Sequence, residues 1–221
     1  MTEPPPLLAS GVIAVVRLPE STGLRGVAAA LAAGGVTAVE ITLTTPGALE
    51  AIAGLASDPE LKGCLIGAGT VVDVKAARDV IARGARFVVS PAFDRFVVRY
   101  CRDHHIPCLP GAFSPTELLE AWRAGAPLVK LFPASAVGPP YLREVLAPLP
   151  ILRVVPSGGV SLENAGDWIR AGAAAVSVGS ALVSASLVAQ GEGAWAELTA
   201  RARALVDCVA GARGPLTGAP A

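Results

Sequence analysis

A chain of 221 residues with 52% hydrophobic and 16% charged side chains can build a large core and carries too little charge for a disordered protein. Its 18 basic and 18 acidic residues cancel, which argues against nucleic acid or an anionic membrane as partner. No run reaches the roughly 18 apolar residues of a membrane span, and MTEPPPLLAS lacks the pattern of a signal peptide, so a cytoplasmic protein is expected.

Residues 1–10 form a Pro-rich lead-in expected to end in a short cap segment. One pattern then recurs: a β-branched run, a turn, an Ala-rich amphipathic stretch and a stopping glycine. Strands are predicted over 12–18, 38–44, 64–71, 87–91, 106–109, 128–132, 152–156 and 175–178. Helices are predicted over 23–33, 46–56, 74–83, 95–104, 115–124, 140–146 and 162–171, with a last one over 194–209. Helix exits repeat as AGG (33–35), RGA (83–85) and AGA (124–126 and 171–173), where glycine supplies the left-handed residue that ends a helix. Ser114-Pro115 and Ser161 are candidate N-caps, and Glu117 completes a capping box with Ser114.

Eight βα units of about 25 residues fit a single (β/α)8 TIM barrel, whose usual size is near 250 residues. A doubly wound open sheet also alternates strands with helices; the unit count and short chain favour closure. Without a composition shift to mark a linker, one domain is expected over 1–210, with 211–221 a flexible tail. Cys64, Cys101, Cys108 and Cys208 show no CxxC spacing and read as free thiols. His104 and His105 are adjacent, so their side chains diverge, and no metal site is expected there.

The chemistry centres on GAPLVKLFPASAVG (125–138). Lys130 is one of only three lysines, and it alone lies within an apolar run. A cation in a buried strand is costly unless paired, and desolvation favours the neutral amine, a nucleophile for carbonyls. A lysine reaching water from a strand end, or a structural ion pair, would also satisfy the local run. Barrel alternation sends Val39, Ile41 and Leu43 toward the helices and Glu40, Thr42 and Thr44 inward. The same rule sends Leu128, Lys130 and Phe132 inward, so Glu40 and Lys130 face one interior. The inward hydroxyls of Thr42, Thr70 and Ser90 suggest a wet pocket rather than a structural ion couple. PSGGV (156–160) and VGSALV (178–183) follow the seventh and eighth predicted strands, where barrels often bind phosphate through bare backbone N–H groups. Gly158, Gly159, Gly179 and Ser180 suit that role, although any barrel needs tight turns there. IGAGTV (66–71) lacks the third glycine of a dinucleotide fingerprint.

GVTAVEITLT (35–44) and GAPLVKLFPASAVG resemble the two signature segments of the aldolase family acting on 2-keto-3-deoxy-6-phosphogluconate and 4-hydroxy-2-oxoglutarate. IGAGTV, VVSPAF (88–93), LPGAFSPTE (109–117), PSGGV and VGSALV fall where that family's barrel loops fall, and the resemblance covers about residues 10–185. It implies a homotrimeric class I aldolase without metal or organic cofactor, cleaving 2-keto-3-deoxy sugar acid phosphates and releasing pyruvate. Lys130 would be the Schiff-base lysine and Glu40 the general acid/base. Thr70, Pro91, Phe132 and Ser157 would fall at substrate-binding positions, and Gly158, Gly159, Gly179 and Ser180 in the phosphate loops. One departure stands out: the first signature usually ends in an arginine that binds the substrate carboxylate, and here that position is Thr44. Arg17, in AVVRL (14–18), resembles instead the arginine of the galactonate-type branch, and FPASAVGPPY (132–141) leans the same way. The alternatives are another phosphate-binding barrel (isomerase, epimerase or synthase) and a non-catalytic, ligand-binding barrel.

Overall fold

The computed structural model describes residues 6–213, with the side chains from residue 7 onward. The strands are β1 (Val12–Val16), β2 (Ala38–Thr42), β3 (Leu65–Gly69), β4 (Val88–Val89), β5 (Cys108–Leu109), β6 (Gly111–Ala112), β7 (Val129–Leu131), β8 (Val154–Pro156) and β9 (Val176–Val178). The helices are α1 (Leu24–Ala33), α2 (Ala48–Ser57), α3 (Val74–Ala82), α4 (Arg95–Asp103), α5 (Pro115–Arg123), α6 (Pro139–Leu146), α7 (Ala165–Arg170), α8 (Ala185–Val188) and α9 (Trp195–Ala212).

Every registered strand pair is parallel. Six strands form one sheet in the order β5-β4-β3-β2-β1-β9, and β6-β7-β8 form a second. The predicted fifth strand, 106–109, is reduced to β5, and a further short strand, β6, follows it across Pro110, which has no N–H to give a ladder. A parallel bridge joins Ser157, just after β8, to Ser177 in the middle of β9. The fold is thus α/β with parallel sheets and helical crossovers.

Alternation along the strands divides the buried residues into two sets. Val39, Ile41, Val129 and Leu131 belong to the large cluster packed under the helices. On the opposite face, Ile13, Ala38, Phe87, Leu128, Val155 and Ala175 form a smaller apolar cluster closed by Leu7, from a 3-10 turn over Pro6–Leu8. That turn is the expected cap segment; the lead-in before it lies outside the described residues. Two residues further along the strands, this inner face becomes polar: Glu40, Lys130, Ser157 and Ser177 are all buried. The inner face is dry at the amino ends of the strands and polar toward their carboxyl ends.

The helix exits follow the expected chemistry. Gly35, Gly84, Gly125 and Gly172 all have positive φ, from 91° to 102°. After α4 the same duty falls to His105, at φ 58°, while His104 stacks on Tyr100 and its Nδ1 lies 2.8 Å from the Tyr100 carbonyl. The histidine pair thus finishes a helix. Ser114 and Glu117 form the full capping box of α5. At the carboxyl end, α9 runs past the expected boundary at 210, and the Arg213 guanidinium donates to the carbonyls of Leu8 and Ala174, 3.1 Å each. The rest of the expected tail, 214–221, lies outside the described residues. Among the described residues, no helix is long and apolar enough to cross a membrane.

Candidate active site

Lys130 sits in the middle of β7, level with Gly111 of β6 and Val155 of β8. Its flanking residues Val129 and Leu131 are fully buried under the helices, so alternation forces its side chain to the inner face. The residue is 7% exposed. Its Nζ lies 4.9 Å from the ring centroid of Phe132, so the π face supports the amine from one side.

Glu40 occupies the same level on β2, between Val15 of β1 and Gly67 of β3. It is buried, and its Oε2 has no hydrogen-bond partner. A Cβ at Gly69 would collide with Oε1, so glycine there is what gives the carboxylate its room. Burial pushes the Glu40 carboxyl above the ordinary carboxylate range, against the opposing attraction of Lys130 and then Arg17. The unsatisfied oxygen and the through-space attraction describe a carboxylate set off from the amine rather than locked to it. A structural ion couple would instead spend both groups on each other.

A cavity of about 420 Å³ opens beside Lys130. Arg17, Lys130, Phe132, Ser157, Gly158, Gly159, Gly179 and Ser180 all line it, so most of the residues expected from sequence meet in one place. Gly158 and Gly159 have φ of 86° and 75°, and a Cβ on Gly159 would stand 2.6 Å from Ser135 Cβ. Only glycine suits such a turn, and it leaves backbone N–H groups bare at the cavity wall.

Four expected residues are not among those lining the cavity: Glu40, buried on β2, and Thr44, Thr70 and Pro91. β2 ends at Thr42, two residues earlier than expected, so Thr44 stands in a turn and is exposed instead of continuing the inward face. The turn forms because the Thr42 hydroxyl bonds back to the Val16 carbonyl at 3.3 Å and lies 3.1 Å from the Thr44 hydroxyl. Thr70 follows β3 at φ 61°, and Pro91 follows β4; neither is among the cavity-lining residues.

The cavity also uses residues that sequence reasoning left out. Val15, Val160, Ser161, Ala181 and Val183 line it. Ser161 was expected to cap a helix, but α7 begins only at Ala165, with Asn164 at its cap position. Asn164 instead holds the glycine turn: its Oδ1 accepts from Ser161 N at 2.9 Å, and its Nδ2 donates to Gly159 O at 2.8 Å. An Asn shortly after PSGGV was the available signal. Among the described residues, no three His, Cys, Asp or Glu side chains gather as a metal site would need, and all four cysteines are unbridged.

Fold and cavity together define a parallel α/β protein with a buried amine and a glycine-walled cavity at the carboxyl ends of its strands. Residues 7–200 match the family model for KDPG and KHG aldolase. The chain is 37% identical over 199 residues to the 2-dehydro-3-deoxy-phosphogluconate aldolase of Treponema pallidum, covering 90% of this chain and 93% of that one. It is 37% identical over 180 residues to a probable 2-dehydro-3-deoxy-6-phosphogalactonate aldolase of Rhizobium meliloti, covering 81% and 84%. A solved KDPG aldolase from Legionella pneumophila, with pyruvate captured as a covalent carbinolamine intermediate, superposes with a TM-score of 0.80. Its identity is 32%, and the match covers 90% of this chain and 96% of that one. The chain belongs to the KDPG and KHG aldolase family.

Proposed function

We propose that this protein is a class I aldolase that cleaves 2-keto-3-deoxy-6-phospho sugar acids, of gluconate or galactonate type, to pyruvate and glyceraldehyde 3-phosphate. Cleavage of 4-hydroxy-2-oxoglutarate to pyruvate and glyoxylate would follow the same steps. The observation that carries this reading is that Lys130, Gly158, Gly159, Gly179 and Ser180 line one cavity, while Glu40, buried on β2 with its Oε2 unpartnered, feels the charges of Lys130 and Arg17.

The neutral Lys130 amine attacks the C2 ketone, and the carbinolamine loses water to give a protonated imine. That iminium draws electrons from the C3–C4 bond. Glu40 takes the C4 hydroxyl proton, directly or through a water, the bond breaks, and the aldehyde phosphate leaves. Glu40 returns a proton to C3 of the pyruvate enamine, and hydrolysis frees pyruvate. Electrons and protons balance without a metal or an organic cofactor. Glycine turns after β8 and β9 receive the phosphate, with Ser157 and Ser180 adding hydroxyls. Phe132 walls the imine.

Arg17 takes the carboxylate in place of the arginine that the family carries at position 44. Parallel register puts Val15 level with Glu40, so Arg17 emerges level with Thr42, one strand away. Arginine suits the task because its planar fork meets both oxygens. We read the two sheets as one closed eight-stranded barrel with β5 and β6 as a single interrupted strand. The Ser157–Ser177 bridge and the single residue between β5 and β6 support this. A cytoplasmic location and a homotrimer complete the proposal; a designed cage built from symmetric oligomeric domains is among the matched structures.

Borohydride reduction in the presence of pyruvate tests the central step. A lactyl-sized mass should appear on the peptide carrying Lys130 and be absent from Lys130→Met. Label on Lys62 or Lys75, or none, would refute it. A panel of gluconate-type, galactonate-type and unphosphorylated acids, with pyruvate release measured, then assigns the substrate.

A further inference from the structure

The described surface holds a second cavity, of about 450 Å³, that shares no residue with the catalytic one. It lies between α4 and α5 and is lined by Arg95, Arg99, Arg102 and Arg123, with Phe93, Phe96 and Glu120 among its other walls. Four guanidinium groups around one groove are unexpected in a chain of zero net charge. Arg102 is paired with Asp103 at 3.2 Å. Arg95, Arg99 and Arg123 take part in none of the ion pairs among the described residues. Like charges gathered this way repel one another, and the groove offers them one carboxylate, Glu120.

Arg95, Arg99 and Arg102 follow the i, i+4, i+7 spacing of one helical face. At about 1.5 Å rise per residue, the row is roughly 10 Å long. A single phosphate would reach only part of it; a chain of two or three phosphates would span it, each accepting forked N–H donors. The groove also has flat apolar walls. Phe96 is 54% exposed, high for a large aromatic side chain, and the Arg99 guanidinium lies 5.3 Å from its ring centroid. A planar heterocycle can stack on such a ring beside the cations.

We propose that the α4–α5 groove binds a nucleoside di- or triphosphate, with Arg95, Arg99, Arg102 and Arg123 on the phosphates and Phe96 under the base. The groove's charge and shape carry this inference, which does not depend on the aldolase reading.

Calorimetric titration of the full-length protein tests it, with ATP, inorganic triphosphate and adenosine as the three probes. ATP should bind at one site per chain, inorganic triphosphate more weakly, and adenosine without measurable heat. The double variant Arg95→Ala/Arg99→Ala should weaken ATP by roughly tenfold or more and leave turnover of the aldol substrate unchanged. Phe96→Ala should erase the preference for ATP over inorganic triphosphate, and added salt should weaken both. Absence of heat with ATP up to about 1 mM would overturn the proposal, as would ATP binding that the double variant does not change. Displacement of ATP by pyruvate or the phosphorylated substrate would move the nucleotide to the catalytic cavity and likewise overturn it. So would light scattering showing that the double variant dissociates an assembly, because the groove would then be a subunit contact.

Discussion

In the proposed mechanism Glu40 would couple stability to catalysis through one side chain. Its carboxyl is held above its ordinary value of 4.5, mainly by burial. The folded protein therefore holds that proton more tightly than the unfolded chain does. The stability this contributes is complete below the unfolded value and declines as pH rises through the folded one. Its proposed role as base calls for the opposite, ionised state. Glu40→Gln should lower kcat by roughly 10² to 10⁴ and remove an acid limb of the rate profile lying above the ordinary carboxylate range. The same variant should be more stable than the wild type at alkaline pH, with the difference vanishing in acid, as read from urea midpoints. An acid limb that survives in the variant would place the base elsewhere. Arg17 calls for a different measurement, because pyruvate carries a carboxylate and no phosphate. Arg17→Ala should weaken pyruvate trapping by on the order of 2 kcal/mol, a modest value for a side chain that begins exposed. If trapping is normal and only phosphorylated substrate suffers, Arg17 belongs to the phosphate loops.

At the scale of an element, the turn between β8 and α7 gives the cavity its shape. Gly158 and Gly159 bend the chain, and Asn164 holds the bend from both sides through Ser161 N and Gly159 O. Asn164→Ala should raise KM for the phosphorylated substrate by roughly tenfold, about 1.4 kcal/mol, while pyruvate trapping at Lys130 stays normal. Asn164→Asp keeps an acceptor for Ser161 N but sets a carboxylate oxygen against Gly159 O, so its KM should rise at least as far as that of Asn164→Ala. A parallel loss of pyruvate trapping would mean that the substitution disturbs β8 itself rather than the turn. The premature end of β2 belongs to the same scale. The Thr42 hydroxyl lies 3.1 Å from that of Thr44 and 3.4 Å from that of Thr45, and Thr45 Oγ1 accepts from Leu18 N at 3.2 Å. These side chains compete for the backbone and end the strand where an apolar continuation would have extended it.

For the whole molecule, the face at the carboxyl ends of β3 and β4 matters beyond the site. Val72, 57% exposed, follows β3, whose neighbour β4 leads into α4. An exposed β-branched side chain on this unusually apolar chain is consistent with a surface that another copy covers. Light scattering at working concentration should return three times the 22.2 kDa chain mass. Val72→Asp should lower that mass, and a wild-type monomer would refute the trimer.

The sequence by itself determined the order of the main βα units and the burial of Lys130, but not the short β6 and α8. β-Branched runs, glycine exits and the Ser114–Glu117 capping box are local signals, and local signals fix local structure. Alternation alone placed Lys130 and Glu40 on the inner face, because period two leaves no other choice once Val129, Leu131, Val39 and Ile41 are buried under the helices. Tertiary structure decided the rest. Which of the expected residues share a cavity depends on where strands end in space, so Arg17 joins Lys130 while Thr44 stays outside. The space for Glu40 comes from a glycine on the neighbouring strand, 29 positions away in the chain. Such long-range facts have no periodic signature, because they arise only when distant segments pack together.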